Sequence, residues 1–249
     1  MNSLIDKYYK YRFGLTKQQV DLFTLNGKMR IEKKIRRDWE QPLQDLMNSN
    51  FTSAIFDKYR EMAKSKQSNY YGMTDQYLYD ALQKYSVNGK DVLIFGSANP
   101  WYEAVMIENG AKKVDVIEYS DRKCFDSRIN YFKPGSLEKK YDVLISISSF
   151  EHDGLGRYGD PIKHDADLIA MQDAIKFIKV DGIMFFAVPI GLDTICFNQH
   201  RVYGKHRLPL MLKNWQSIDR FGFKDKDLNN SLNSKNGTPY QPIFILKLK

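Results

Sequence analysis

The chain has 249 residues, with 38 Lys and Arg against 30 Asp and Glu, and a formal net charge of +8. Hydrophobic residues make up 43% of the sequence, which excludes a disordered chain, a collagen-like fibre and a low-complexity linker. No apolar run reaches the length of about 18 residues that a transmembrane segment needs. The start of the chain lacks the apolar segment of a secretory signal, and two cysteines are too few for a disulfide framework. We therefore expect a reducing, cytoplasmic setting.

The positive charge lies mostly in the first part of the chain. Residues 1–90 contain 16 Lys and Arg and 10 Asp and Glu, and the densest cationic run covers residues 33–37. Acidic residues flank this run, which favours the solvated face of a helix over a phosphate-binding surface. Nucleic acid is therefore not an expected partner.

The first third of the chain is predicted to be helical. Apolar spacing indicates four helices, over residues 17–23, 29–47, 52–62 and 73–85. Pro42 should interrupt the second helix, and Thr74 can cap the fourth. We assign residues 1–75 to a helical N-terminal extension, and two roles stay open for it: a lid over the site or a homodimer contact.

After residue 89 the pattern changes to short apolar runs that alternate with helices. Buried strands are predicted at residues 91–95, 114–119, 141–147, 183–189 and 242–248. Helices are predicted at residues 99–110, 165–180 and 208–221. Strands that are apolar on both faces and alternate with helices predict a mostly parallel sheet covered by helices. Residues 76–249 should therefore form one α/β domain.

The first motif is the loop from Gly96 to Trp101, which follows the first strand of this domain. Such a loop places a ligand at the carboxyl edge of a parallel sheet, but its single glycine does not suit a pyrophosphate. Glu118 ends the next strand, 22 residues after Gly96, where a carboxylate can accept hydrogen bonds from a ribose diol. A ligand with a ribose but no pyrophosphate is indicated, and S-adenosylmethionine is the commonest such cofactor. The predicted cofactor contacts are Gly96, Ser97, Asn99, Trp101, Glu118 and Ser149.

The second motif is the polar, glycine-rich loop at residues 150–161. His152 is the best candidate for a general base because its ordinary pKa lies near neutrality, and Asp153 could orient it or act itself. Arg157, Tyr158 and Asp160 are candidate substrate contacts. No recognised ligand spacing is present, so no metal site is predicted. The alternative is a structural loop with a hydrogen-bonded histidine.

The third motif lies beyond the strand that ends at Pro189. It offers polar groups for a substrate at the same sheet edge: Asn198, His200, Arg201 and Tyr203. Arg201 would suit a carboxylate or phosphate, which it can bind through two parallel hydrogen bonds. Cys196 has apolar neighbours, so we expect it to be buried rather than nucleophilic. The alternative is a connecting segment that is packed by its own aromatic residues.

Four segments carry a resemblance to a known family. They are residues 96–104, residues 110–119, Ser149 to Pro161, and residues 197–209. Over roughly its last 160 residues the chain resembles the class I S-adenosylmethionine-dependent methyltransferases, and within them the family described as Caenorhabditis protein of unknown function. The resemblance implies a Rossmann-like sheet of seven strands with an antiparallel last hairpin. It also implies a cofactor over residues 96–101 with Glu118 on the ribose.

The resulting hypothesis is O-methyl transfer from S-adenosylmethionine to a polar small molecule. Bacterial members of the resembled family look like parts of surface-polysaccharide pathways, which implies a saccharide hydroxyl as the acceptor. His152 would be the base, Asp153 its orienter, and His200 with Arg201 the acceptor contacts. Two alternatives stay open: a fold that has lost the cofactor and acts as a scaffold, and metal-assisted chemistry at the same sheet edge.

Overall fold

The computed structural model describes residues 2–33, 52–122, 126–230 and 240–249, and it shows a mixed α/β fold. The helices are α1 (Asn2–Phe13), α2 (Lys17–Phe23), α3 (Ser53–Lys64), α4 (Met73–Lys84), α5 (Trp101–Glu108), α6 (Ala166–Asp173) and α7 (Leu208–Met211). The strands are β1 (Arg30–Lys33), β2 (Asp91–Phe95), β3 (Lys113–Ile117), β4 (Ile129–Phe132), β5 (Tyr141–Ile147), β6 (Ile178–Ala187), β7 (Thr194–Phe197), β8 (His200–Val202), β9 (Trp215–Phe221) and β10 (Ile243–Leu248).

The central sheet of the described ranges has seven strands in the order β4-β3-β2-β5-β6-β10-β9. The first five run parallel, whereas β10 pairs antiparallel with both β6 and β9. This confirms the predicted Rossmann-like sheet with an antiparallel last hairpin.

Burial on both faces explains why the central strands are continuously apolar. Side chains alternate across a strand, so Val92 and Ile94 join one core cluster while Leu93 and Phe95 join the cluster on the other face. Val92 and Leu93 are completely buried. Helices α3, α4 and α5 cover the first face, with Phe56, Leu78 and Ala104 among the buried contacts.

A second, smaller sheet has the order β1-β7-β8. Strand β1 pairs parallel with β7, in a register that sets Arg30 opposite Thr194 and Lys33 opposite Phe197. Helices α1 and α2 cover this sheet through a third apolar cluster, which we call the N-terminal cluster: Phe13, Leu15, Val20, Phe23, Met29, Leu155, Ile195 and Phe197. The first 33 residues are therefore packed onto the polar loops that follow β5 and β6.

Two helices predicted from the sequence end early. The helix predicted at 208–221 is wrong beyond Met211, because residues Trp215–Phe221 pair with β10 as strand β9. The helix predicted at 165–180 ends at Asp173, and after one 3-10 turn the chain enters β6 at Ile178. In both places main-chain pairing with a neighbouring strand overrides local helical propensity.

Other predictions for the first third also need correction. Residues 30–33 form β1 rather than part of a helix, while residues 34–51, with Pro42 and most of the cationic run, lie outside the described residues. Thr74 does not cap α4, which begins at Met73; its hydroxyl donates to the Gln241 carbonyl, 2.8 Å away. The domain boundary at residue 75 stays a prediction, and α4 crosses it. In the described ranges no helix combines the length and apolarity that crossing a bilayer requires.

Candidate active site

The ends of β2, β3 and β5 bring three loops together at the carboxyl edge of the central sheet. Gly96, which follows β2, has a φ of +75°, and its N–H donates to the Ile117 carbonyl at the end of β3. A Cβ atom at Gly96 would lie 2.6 Å from the Ser149 hydroxyl, which follows β5. Backbone conformation and close approach both require glycine here, and Gly96 and Ser149 lie side by side at this edge, while their role as cofactor contacts stays a prediction.

The Glu118 carboxylate is fixed at this edge by two backbone amides. Its Oε2 accepts the N–H of Ser97 at 2.9 Å and its Oε1 accepts the N–H of Ser120 at 3.0 Å. A carboxylate oxygen has more than one acceptor direction, so Glu118 can still accept hydroxyl groups from a ligand. The next residue, Tyr119, has a ring that is 70% exposed and could stack on a base. Tyr119 is not among the predicted cofactor contacts, although its position directly after Glu118 could have indicated it.

The Ser97 side chain points into the protein. Its Oγ lies 2.9 Å from the Asn99 carbonyl and also hydrogen-bonds to Glu103 Oε1, which accepts the Tyr131 hydroxyl at 3.0 Å. Glu103 is completely buried, and this burial raises the pKa of its carboxyl to about 7. Ser97 therefore contributes its backbone to the Glu118 carboxylate, and its hydroxyl to the support of the loop.

Trp101 is not a cofactor contact, and this prediction is wrong. Its side chain is 2% exposed, and its indole N–H donates to Asp75 Oδ1 at 3.1 Å. Asp75 also accepts the Tyr102 hydroxyl at 3.2 Å and the N–H of Asn69 at 2.8 Å. Asp75 thereby ties the segment before α4 to the first turn of α5, where the Asn99 side chain accepts the N–H of Trp101.

The segment before α4 also contributes directly to the site. The Tyr71 side chain lies near Ser148, and burial raises the pKa of the Tyr71 phenol. The Ser148 hydroxyl donates to Glu151 Oε1 at 2.6 Å and accepts from the Gln241 amide at 3.2 Å. Sequence reasoning missed Tyr71 and Gln241, because no motif marks residues that tertiary packing brings to the end of β5.

We assign the tautomer of His152 from its contact with a backbone carbonyl, which can only accept, although the Arg157 guanidinium also lies 3.3 Å from Nδ1. Its Nδ1 lies 2.6 Å from the Gln199 carbonyl, so Nδ1 carries the proton and donates. Its Nε2 lies 3.5 Å from Glu151 Oε1. Burial, reinforced by the Arg157 guanidinium, lowers the pKa of His152 well below its usual 6.5, so the ring is neutral at neutral pH. The groups that orient the imidazole are therefore Gln199 and Glu151, and the role predicted for Asp153 as orienter is wrong.

Two carboxyl groups beside His152 hold their protons unusually strongly. Burial raises the pKa of Glu151 to about 7. Burial, together with the nearby Asp167 carboxylate, raises the pKa of Asp153 to about 8. Perturbed carboxyl groups of this kind often lie at functional sites, and Asp153 can therefore exchange a proton near neutral pH.

Arg201 and Tyr203 do not face an acceptor, and their prediction as substrate contacts is wrong. Both side chains are completely buried. The Arg201 guanidinium donates to the Asp153 carbonyl at 2.5 Å and to the Lys163 carbonyl at 3.3 Å, and the Tyr203 hydroxyl donates to Asp167 at 2.9 Å. Asp167 is also paired with Arg207 at 2.6 Å. These groups hold the loop at residues 151–164 in position.

Other predicted substrate contacts do come together around His152. The Tyr158 ring meets the imidazole edge-to-face, with the ring centroids 5.6 Å apart, and the Arg157 guanidinium lies 5.2 Å from the Tyr158 ring. The His200 and His152 ring centroids are 6.3 Å apart. Asp160 has a different role, since its carboxylate accepts the N–H groups of Gly156 and Tyr158 and so shapes the loop.

Asn198 occupies the turn between β7 and β8, with an exposed side chain and a φ of +62°. Cys196 is 1% exposed on β7, which confirms its predicted burial. In the part of the chain that the structure describes, no three His, Cys, Asp or Glu side chains form a group that could hold a metal ion.

Comparisons with known proteins agree with this architecture. The family model described as Caenorhabditis protein of unknown function, DUF268, matches residues 89–242, which is more than half of the chain. No curated protein matches the sequence.

Several solved methyltransferases have a similar fold. The Burkholderia thailandensis 1,6-didemethyltoxoflavin-N1-methyltransferase, solved with 1,6-didemethyltoxoflavin and S-adenosylhomocysteine, is 11% identical, with 88% of this chain and 94% of that chain aligned and a TM-score of 0.51. A Clostridium acetobutylicum S-adenosylmethionine-dependent methyltransferase is 10% identical over 77% of this chain and 96% of that chain, with a TM-score of 0.47. The ribosomal protein L11 methylase of Lactobacillus delbrueckii subsp. bulgaricus is 12% identical over 71% and 79%, with a TM-score of 0.46. At such identities the likeness shows the class I methyltransferase fold alone.

Proposed function

Since the chain belongs to the family described as Caenorhabditis protein of unknown function and has the class I methyltransferase fold, we propose that it is an S-adenosylmethionine-dependent methyltransferase. We further propose that it methylates a hydroxyl group of a sugar or of another polar small molecule. The observation that carries the proposal is the Glu118 carboxylate, held by two backbone amides at the carboxyl edge beside Gly96.

The residues at this edge fit the nucleoside part of the cofactor. Glu118 would hold the ribose hydroxyls, and the exposed Tyr119 ring would cover one face of the adenine. Gly96, Asn99 and Ser149 would line the path toward the methionyl part. When bound, S-adenosylmethionine supplies a methyl group on a sulfonium that is already a good leaving group.

The residues around His152 would position the acceptor and take its proton. The Gln199 carbonyl fixes the proton of His152 on Nδ1, which leaves the Nε2 lone pair to receive a proton from a hydroxyl. The Glu151 carboxyl, 3.5 Å from Nε2, would stabilise the imidazolium that results. Arg157, Tyr158 and His200 supply polar and aromatic contacts for the acceptor. Orientation of the two reactants would supply most of the rate acceleration.

One observation favours a second candidate function. The space beside Gly96 is filled by the Ser149 hydroxyl, and Trp101 faces the core rather than the edge. A methyltransferase-like fold that serves as an interaction module without the cofactor would have this arrangement. Cofactor binding separates the two functions.

The test is calorimetric titration of the purified protein with S-adenosylhomocysteine. We expect micromolar binding, and we expect Glu118→Gln to weaken it at least about tenfold, because the hydrogen bonds to the ribose involve a charged acceptor. Asp121→Asn is the matched control: its carboxylate is 97% exposed three residues away and should not matter. No binding at millimolar ligand would refute the methyltransferase proposal and support the interaction module.

A further inference from the structure

The outward face of α1 carries exposed apolar and aromatic side chains that have no role in the proposed function. The three side chains on its outer midline, Leu4, Tyr8 and Tyr11, are 77%, 52% and 91% exposed. Contiguous exposed apolar and aromatic side chains often mark a surface that binds a protein or a membrane. We propose that this face of α1 docks onto the surface of an anionic lipid bilayer.

The helix geometry separates an inner from an outer face. At about 100° per residue, Tyr9 and Phe13 fall on one side of α1, and Leu4, Tyr8 and Tyr11 fall on the opposite side. The inner side is anchored, since the Phe13 ring meets the Phe197 ring edge-to-face with the centroids 5.9 Å apart. The outer face is therefore held in place by the N-terminal cluster and points away from the protein.

The charges on α1 select the partner. Its exposed charged side chains are Lys7, Lys10 and Arg12, and all three are cationic. The one acid of the helix, Asp6, lies toward the inner side, where its carboxylate accepts the N–H of Lys17 at 2.8 Å. At about 100° per residue, Lys7 and Arg12 flank the apolar midline on its two sides, whereas Lys10 lies nearer the inner side, so the complementary surface is anionic.

A bilayer suits this face better than a protein does. A second copy of the chain would bring Lys7 and Arg12 close to the same two cations of its partner, which is unfavourable. Protein interfaces are depleted in lysine, whereas membrane-surface helices combine flanking Lys and Arg with apolar and aromatic side chains. Tyrosine is enriched at the lipid headgroup level, and lysine stems can lie along the apolar region while their charges reach the headgroups.

Docking through α1 would hold the chain at the bilayer with the loop that carries His152 on the inner side of the helix. Leu155, which belongs to the loop that carries His152, is completely buried in the N-terminal cluster beside Phe13. The docking itself does not depend on the methyltransferase proposal, so the two can fail separately.

The test is flotation of the full chain with vesicles of phosphatidylcholine alone and of phosphatidylcholine mixed with phosphatidylserine. We expect the protein to float with the mixed vesicles only. The triple variant Leu4→Ser, Tyr8→Ser and Tyr11→Ser should reduce the bound fraction at least about tenfold, because it removes the apolar contacts. The double variant Lys7→Gln and Arg12→Gln, which removes the two flanking cations, should reduce it by a similar factor.

Val180→Ser is the matched control, since Val180 is a lone apolar side chain that is 89% exposed on β6. It should leave flotation unchanged. Circular dichroism of every variant checks that the fold is kept, which is expected because the altered side chains are exposed. Equal flotation of the triple variant, or no flotation of the native chain with anionic vesicles, would overturn the proposal. A native dimer that the triple variant dissociates, without lipid binding, would overturn it in favour of self-association.

Discussion

Glu103 in α5 has a buried carboxyl, and its replacement by glutamine tests whether this burial makes the free energy of unfolding depend on pH. Its Oε1 is hydrogen-bonded to the Ser97 hydroxyl and accepts from the Tyr131 hydroxyl, while its Oε2 is buried with no hydrogen-bond partner in the structure. Burial raises the pKa of Glu103 from 4.5 to about 7 in the folded chain. Between these two values the folded state binds more protons than the unfolded state, so rising pH lowers the free energy of unfolding.

The size of the effect follows from the pKa change. A pKa that moves from 4.5 to about 7 corresponds to a loss of about 3 kcal/mol of stability once the pH has passed through both values. Glutamine has nearly the same shape as the protonated acid and does not titrate. The free energy of unfolding of the native chain should therefore fall by about 3 kcal/mol relative to Glu103→Gln between about pH 4.5 and pH 7.5.

Urea unfolding of both proteins across this pH range measures the difference. Glu138→Gln is the control, because Glu138 is an exposed glutamate whose loss reports the removal of a charge without burial. If the free energies of unfolding of Glu103→Gln and of the native chain differ by the same amount at every pH in this range, burial does not hold the proton on Glu103 and the reasoning is refuted.

Asp167→Asn should lower the free energy of unfolding by about 3 to 5 kcal/mol, because it leaves two buried guanidinium groups without their counter-charge; a loss below about 1 kcal/mol in urea titration would contradict this. Gly96→Ala should weaken S-adenosylhomocysteine binding at least about tenfold by calorimetry, because an alanine at that φ is strained and its Cβ meets a serine hydroxyl; unchanged affinity would show that the loop does not contact the cofactor. With His152 as the base, the fall of kcat/KM that accompanies protonation of the ring should lie well below pH 6.5, since burial lowers the pKa of His152. A rise with a midpoint near 8 would instead assign the base to Asp153.

The parallel strands could be predicted because a strand that is buried on both faces has a continuous apolar sequence. Residues 91–95 and 141–147 form strands with the predicted bounds. Strand β9 could not be predicted in this way, because it is an edge strand whose side chains are mostly exposed and whose pairing uses only the main chain of β10. Residues 129–132 escaped prediction as well, since three of the four are only partly buried on the opposite edge.

The candidate site also contains some residues that the local sequence indicates and others that only tertiary packing brings together. The position of Glu118 at the carboxyl edge could be predicted from its spacing after Gly96, because the two residues directly follow adjacent strands. Arg201 could not be assigned correctly, since its partners are carbonyl groups of residues 151–164 that only the folded loop brings together. Tyr71 and Asp75 precede every recognised motif, and Asp75 is tied to the site only through its hydrogen bonds from Trp101 and Tyr102 in the folded chain.

The pairing of β1 with β7 also determines when the small sheet can form during synthesis of the chain. Lys33 lies opposite Phe197, about 160 residues further along the chain, so the small sheet cannot form until β7 has left the ribosome. At roughly 5–20 residues per second, the first 33 residues wait on the order of ten to thirty seconds without their strand partner. A nascent chain stalled before Thr194 should therefore lose these residues to brief proteolysis, whereas the released full-length chain should keep them.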